Sequence, residues 1–206
     1  MTKQYEIENQ GEWNTIIKKL PGVSVLQTWE WGQAKAKFGW KAKHFAWRGQ
    51  SGECIAAALV LVREVTIPYI GWGFRTIYIP QGPLLDWSDK TIRKRVLADI
   101  IEFSQSVQAI FIKIDPEIIL GFEEQIDKKS PAYFQSKKII QDLQSEKWVY
   151  SRQQVQFKNT AWIDLKRPLE EILVNMKQKT RYNIRLAGRK GVRDPVYEDR
   201  HLRASR

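Results

Sequence analysis

The stretch Cys54-Ile55-Ala56-Ala57-Ala58-Leu59-Val60-Leu61-Val62-Arg63-Glu64-Val65 decides the fold. Its unbroken apolar run, Ile55 to Val62, is eight residues long. A membrane-spanning helix needs about 20. A short apolar run rich in β-branched residues, just after the turn Arg48-Gly49-Gln50-Ser51-Gly52, fits a buried strand instead. The reading therefore predicts a central strand over 54–65, with further strands and covering helices on either side.

Working outward, Lys41 to Trp47 alternates as a neighbouring strand, and Gln4 to Glu8 is a short opening strand. Between them Trp13, Ile16, Ile17 and Leu20 recur at helical spacing until Pro21-Gly22 ends the helix. Thr28 caps a second helix through Trp29, Trp31 and Ala34 to Phe38, which Gly39 closes. Downstream, Arg75 to Ile79 is a strand that runs into Pro80-Gln81-Gly82-Pro83. Ser88-Asp89 opens a helix to about Gln108, with Leu97, Ile100, Ile101 and Ser104 inward. Ala109 to Ile114 reads as a buried strand ending at Asp115-Pro116. A short helix over 118–126, a polar segment with Pro131, and an extended Val149 to Phe157 complete residues 1–155. The predicted fold class is α/β (α+β), a mixed central sheet flanked by helices.

Residues 156–192 read differently. Thr160 to Leu165 alternates as a strand. Pro168 suits a first helical turn. Leu169, Ile172, Leu173, Met176, Thr180, Ile184 and Ala187 then recur as one long helix to Gly191. One strand and one helix cannot enclose a core of their own. Residues 193–206 lack apolar periodicity and read as a disordered tail.

The 206-residue chain carries 34 Lys/Arg against 23 Asp/Glu, a net charge of +11. Residues 166–193 hold nine Lys/Arg against two acids, Glu170 and Glu171, so +7 sits in that segment. On a helix, Lys177, Arg181, Arg185 and Arg189 form one stripe. Like charges at that spacing repel by a few tenths of a kcal/mol per pair, a cost that a polyanion or acidic face opposite would relieve. A solvated helix face is the plainer alternative. A single cysteine, Cys54, precludes an internal disulfide and fits a reducing compartment. The N-terminal residues lack the apolar core of a signal peptide, so a cytoplasmic location is expected. The sequence offers no Ser-His-Asp set, no convincing cysteine nucleophile and no metal-spaced Cys/His cluster. His44 and His201 stand alone, and no general base is evident.

The segment Met176-Lys177-Gln178-Lys179-Thr180-Arg181-Tyr182-Asn183-Ile184-Arg185-Leu186-Ala187-Gly188-Arg189-Lys190-Gly191-Val192, preceded by Ala161-Trp162-Ile163-Asp164-Leu165 and Glu170-Glu171, resembles the signature of the FemABX family of peptidoglycan-bridge aminoacyltransferases. That signature reads Met-Lys-x-Lys-x-Arg-Tyr-Asn-Ile-Arg-x-Ala-x-x-Lys-Gly-Val. Gly188 is a departure, being a poor helix former. Gln27-Thr28-Trp29-Glu30-Trp31 through Lys35-Ala36-Lys37-Phe38-Gly39-Trp40 is similar to the family's early helix. Tyr78-Ile79-Pro80-Gln81-Gly82-Pro83 and Lys113-Ile114-Asp115-Pro116-Glu117 resemble its strand ends. Together these segments cover residues 1 to about 192.

The resemblance implies an acyltransferase-like (GNAT-like) fold over residues 1–155. The first strand and helix of a second such domain would follow, over 156–192. It implies an enzyme, an aminoacyltransferase that moves an amino acid from aminoacyl-tRNA to the stem peptide of UDP-MurNAc-peptide or lipid II. Such chemistry needs no cofactor and permits peripheral contact with the membrane surface. Lys37 matches the family lysine that contacts the acceptor diphosphate; an exposed helical lysine is its plainer reading, and both stand open. Trp40, Gln81, Gly82, Pro83, Lys113 and Asp115 are the further candidate acceptor-binding residues, and turn formation or core packing is their alternative. Lys177, Lys179, Arg181, Arg185, Arg189 and Lys190 are the candidate tRNA or polyanion contacts. Family members are usually much longer, so the chain looks truncated; truncation, a frame-shifted gene and a split gene whose partner chain supplies the missing half all stand open, and in each case acceptor binding is what this chain is expected to retain. Two other functions are weighed. An acetyl-CoA-dependent acyltransferase would need a Gln/Arg-x-x-Gly-x-Gly/Ala loop at a helix start; the nearest stretch, Arg185 to Lys190, ends in lysine. A non-catalytic RNA-binding module would suit the basic helix but lacks RNP-like aromatics and a Gly-x-x-Gly clamp.

Overall fold

The structure, a computed structural model, describes residues 3–66, 73–121, 128–157, 159–160 and 163–192. The chain divides between Gln156 and Phe157 into two compact units.

The first unit is built on a mixed sheet. Strand β1 (Lys3–Glu6) leads to helix α1 (Gln10–Ile17), a 3-10 turn at Val25–Gln27 and helix α2 (Trp29–Ala36). Strands β2 (Trp40–Arg48), β3 (Cys54–Thr66), β4 (Gly73–Ile79) and the two-residue β5 (Leu84–Leu85) follow. Helix α3 (Lys90–Ser106) crosses to β6 (Ala109–Ile114), and α4 (Pro131–Ser145) ends the regular elements of this unit. The strand order is β1-β2-β3-β4-β6, with β5 also on β3. Every pairing is antiparallel except β4 with β6, which is parallel.

The run that opened the sequence reading lies at the centre. Side chains alternate along a strand, so β3 feeds two cores. Ala56, Ala58, Val60 and Val62 meet Val96 and Ile100 of α3 on one face. Ala57, Leu59 and Leu61 meet Trp13 and Ile17 of α1 on the other. Trp47, fully buried, donates its indole N–H to Asp99 at 2.8 Å and ties α3 to β2. The helix starts carry the caps the sequence suggested at Thr28 and Asp89: Thr28 Oγ1 accepts from Trp31 N, and Asp89 accepts from Thr91 N and Ile92 N. Gly39, with φ +81°, provides the left-handed residue after α2.

Several expectations are corrected. Ala109–Ile114 is a strand but not a buried one: it is a sheet edge, with Ile110 61% and Phe111 52% exposed. Ile101 is on the outer side of α3, 38% exposed. Of the helix expected over 118–126, residues 118–121 are irregular, and 122–126 lie outside the described residues. A helix forms instead at Pro131–Ser145. Pro131 occupies the first turn, where a missing N–H costs nothing, and Ser130 caps Tyr133 N. Its Asp142 meets the buried Arg93 guanidinium of α3 at 2.6 Å. Val149 to Phe157 joins no strand; Ser151 Oγ donates to Gln153 O within that stretch.

The second unit contains helices α5 (Leu169–Asn175) and α6 (Gln178–Arg189) where one continuous helix was expected. Met176 (ψ 150°) and Lys177 (ψ 144°) are extended and separate them. Arg181 supplies the reason: its Nη1 donates to Val174 O at 2.9 Å and to Met176 O at 2.5 Å, satisfying carbonyls at the end of α5. In the strand expected at 160–165, Ala161 and Trp162 lie outside the described residues, and residues 163–165 join no strand. Asp164 Oδ1 instead accepts the Lys166 N–H at 3.0 Å, a local bond that competes with strand pairing. The tail over 193–206 lies outside the described residues.

Candidate functional site

Strands β4 and β6 run parallel, and ligands of open α/β sheets bind beyond the carboxyl ends of such strands. The two loops that leave those ends, 80–83 and 115–121, overlap the segments Tyr78–Pro83 and Lys113–Glu117 that resemble the family's strand ends. Asp115 joins them. Its Oδ2 accepts from Tyr78 Oη at 2.7 Å and its Oδ1 from Gln81 N at 2.5 Å. Gln81 sits at φ +43°, a region non-glycine residues rarely occupy. Strain of that kind costs about 1–3 kcal/mol and persists only where neighbours over-determine it. Here the Asp115 carboxylate holds its N–H, and Ser24 Oγ donates to its side-chain carbonyl. The bond between Gly82 and Pro83 is cis.

Beneath this loop lies Gln27, fully buried. Its Oε1 accepts from Leu59 N at 2.7 Å, its Nε2 donates to Pro80 O, and its backbone carbonyl accepts from Trp13 Nε1 at 2.7 Å. Gly82 is required above it: a Cβ there would come within 2.6 Å of Gln27 Nε2 and 3.1 Å of Ile79 Cγ2.

A groove of about 550 Å³ opens beside the loop. Its walls are Gln81 and Pro83, the run Leu84–Ser88, residues Glu117–Gly121, Pro21–Gly22 and the first half of α4. Apolar walls with a few polar groups are typical of ligand sites; here Gln81, Ser88, Ser130, Gln135 and Ser136 are the uncharged polar ones.

The candidate residues fall as follows. Trp40 begins β2, 6.3 Å between ring centroids from Tyr78, with the Arg63 guanidinium 5.6 Å over its indole. Trp40, Tyr78, Asp115 and Gln81 thus form one chain of contacts. Gln81 and Pro83 line the groove; Gly82 packs on Gln27. Lys113 is the register partner of Tyr78, but its Nζ is held by Gln153 O and Ser151 Oγ. Lys37 is the exposed C-cap of α2, three residues before Trp40. Tyr78, Gln27 and Ser24 were missed as site residues. Tyr78 could have been found from its motif, since it is the next-to-last residue of β4. Nothing around Gln27 marks a lone glutamine in a short turn as buried.

The electrostatics favour positioning over proton transfer. Burial pushes the Tyr78 hydroxyl well above its ordinary value, and Asp115 adds to the shift, so the phenol keeps its proton and donates. Burial also raises the Asp115 carboxyl, against the opposing bonds from Tyr78 and Gln81. Both carboxylate oxygens are engaged, leaving Asp115 poorly placed to take a proton from a substrate. His44 is stacked on Trp29 at 4.0 Å with Trp13 edge-on at 4.8 Å. Burial lowers it to about 4, so it is neutral near pH 7.

In the second unit, Lys179, Arg181, Arg185 and Arg189 lie on α6, with Lys177 as its N-cap and Lys190 as its C-cap. Arg181 is half-buried through its bonds to the α5 carbonyls, while Lys177, Lys179, Arg185, Arg189 and Lys190 are exposed. The stripe therefore begins inside α6 at Arg181, because Lys177 is not helical.

Residues 9–199 match the FemAB family model. The lipid II:glycine glycyltransferase of Staphylococcus aureus is 27% identical over 190 residues, which are 92% of this chain and 42% of that protein. The protein of the same name from strain USA300 gives the same figures. The crystal structure of FemX superposes with a TM-score of 0.64 at 22% identity, covering 90% of this chain and 43% of that one. The chain thus spans less than half the length of these relatives. The match over nearly all of its length places the chain in the FemAB family.

Proposed function

We propose that this chain carries the acceptor-binding region of an aminoacyltransferase that adds an amino acid to the stem peptide of a peptidoglycan precursor. The acceptor is UDP-MurNAc-pentapeptide or its lipid-linked form, and the donor is aminoacyl-tRNA. In the transfer, the acceptor amine attacks the ester carbonyl, an amide bond forms, and the tRNA 3′ oxygen leaves with the electron pair of the ester bond. That oxygen becomes a hydroxyl by taking up, through solvent, the proton that the amine gives up. The ester is already activated, so holding the two substrates in register supplies much of the rate.

The observation that carries this reading is the Tyr78–Asp115–Gln81 cluster beside the groove, at the carboxyl ends of the parallel pair β4 and β6. Family membership supports it. Lys37 and Arg63 add positive charge near Trp40, where a diphosphate would meet the sheet. The exposed cations of α6 suit the tRNA, as point charges along a helix face. Among the described residues no helix is long and apolar enough to cross a membrane, and a lipid-linked acceptor would be met at the membrane surface.

Two features weigh against acyl-CoA. Helices α1 to α4 each start closed by their own side chain, Asn9, Thr28, Asp89 and Ser130. The α3 start carries a carboxylate where a pyrophosphate would have to sit. The one stretch that approaches a pyrophosphate loop, Arg185 to Lys190, lies at the C-terminal turn of α6, where the helix dipole repels anions.

Titration calorimetry of the chain with UDP-MurNAc-pentapeptide and with acetyl-CoA tests the reading. Saturable binding of the first, weakened by Lys37→Ala and by added salt, is expected, with no heat from the second. Binding of acetyl-CoA alone would overturn it.

A further inference from the structure

Continuing the β3–β4 register from the Leu61–Tyr78 pair would set Leu59 opposite Pro80. The ladder does not continue. Residues 80–83 leave it, and pairing resumes with Ala57 opposite Leu84 and Ala56 opposite Leu85. At the point of departure, Leu59 N–H and Pro80 C=O are the donor and acceptor of the rung that would have come next. Each is bonded to the same side-chain amide: Gln27 Oε1 takes the first and Gln27 Nε2 gives to the second. The amide is inserted into the rung like a wedge that completes the bonding it interrupts. Gln27 is itself fixed by the Trp13 indole on its carbonyl and by Gly82 lying against its Nε2.

We propose that Gln27 is a positioning residue for the acceptor site. By holding β4 away from β3 at Leu59 it forces residues 80–83 outward, sets the Gln81 backbone against Asp115, and gives the groove its Gln81 and Pro83 wall. No apolar side chain of similar length does this, because both backbone groups would be buried without partners, at a cost of about 1–3 kcal/mol each. The rung would then close or the loop would shift. The proposal rests on the acceptor reading above and names the residue that shapes that site.

The test compares Gln27→Leu and Gln27→Glu with Val96→Ala, a change in the core on the α3 face. All are measured for melting temperature and for affinity to UDP-MurNAc-pentapeptide, well below every melting point. Gln27→Leu is expected to bind about tenfold or more weakly than wild type, while Val96→Ala, destabilised without touching the loop, keeps wild-type affinity. Gln27→Glu adds a readout that a purely structural role would not give. Protonated, its carboxyl restores both bonds; ionised, it repels Pro80 O. Its affinity should therefore fall as pH rises, with a dependence absent from wild type. It also serves if Gln27→Leu does not fold. Wild-type affinity in Gln27→Leu, equal weakening in Val96→Ala, or no added pH dependence in Gln27→Glu would overturn the role while leaving the acceptor reading intact. No binding by the wild-type chain would overturn both.

Discussion

Residues 3–156 and residues 157–192 are stabilised in different ways. In the first unit β3 is buried on both faces, and Trp13, Trp47, Leu59, Leu61, Ile77, Ile79 and Ile100 are almost wholly withdrawn from solvent. In the second unit neither α5 nor α6 buries a single residue, and Leu169, Val174, Tyr182 and Ile184 are exposed. Burial supplies most folding free energy. The difference teaches that the segment with the strongest family signature is not the segment that holds the described fold together. Met176 to Val192 carries its information in charge and surface chemistry, while the first unit carries a core and, at its edge, a shaped groove.

The largest effect should come from removing core volume in the first unit. Ile100→Ala is expected to cost about 4 kcal/mol in chemical denaturation, as a fully buried isoleucine with a residual cavity. A loss below about 1 kcal/mol would show that the α3 face is less tightly packed than the full burial of Ile100 implies.

Next comes a pH effect confined to the same unit. His44 sits at about 4 in the folded chain, lowered by burial from an ordinary 6.5. The folded state therefore prefers neutral imidazole, and the unfolded chain binds the extra proton first. Stability is fully present above pH 6.5 and falls as pH drops toward 4, by about 3 kcal/mol in total. His44→Gln should flatten that part of the stability profile. A profile unchanged by the substitution would reassign the acid sensitivity to other groups.

A smaller loss, about 1–2 kcal/mol, is expected from Asp115→Asn, because the new amide presents a donor to either Tyr78 Oη or Gln81 N. Acceptor affinity should fall with it. Full stability together with lost affinity would mean that the Asp115 carboxylate contacts ligand directly. At the small end, Ile184→Ala on α6 should change stability by less than about 0.5 kcal/mol, since the residue is already 44% exposed. A loss comparable to that of Ile100→Ala would erase the contrast between the units.

The parts of the fold that could be read from sequence are those governed by local rules. The apolar run of β3, the Thr28 and Asp89 caps and the glycine after α2 each depend on a few adjacent residues. The misreadings share a cause in distance. Helix 169–191 has unbroken apolar spacing with no proline or glycine near Met176; its break is stabilised by Arg181, five residues further on, which periodicity counts only as a surface charge. The helix α4 was missed in the polar segment with Pro131, although Ser130 caps it locally, because the partner that anchors its Asp142, Arg93, lies 49 positions away in the chain. The nearly continuous apolar composition of Ala109–Ile114 cannot reveal that no strand covers its outer edge among the described residues. In the candidate site, Gln81, Pro83 and Asp115 were legible through their motifs. Tyr78 stood in the same motif and was passed over, while the role of Gln27 could not be read there, because it lies in bonds to Leu59 and Pro80 across 32 and 53 positions of sequence.

The most direct test of the account is a nuclear magnetic resonance titration of the ¹⁵N-labelled chain with UDP-MurNAc-pentapeptide, following every backbone amide. The account predicts shifts concentrated at Trp40, at Tyr78 to Leu85 and at Asp115 to Gly121, with the α6 amides unmoved. Shifts concentrated along α6, with the 78–85 loop silent, would contradict it.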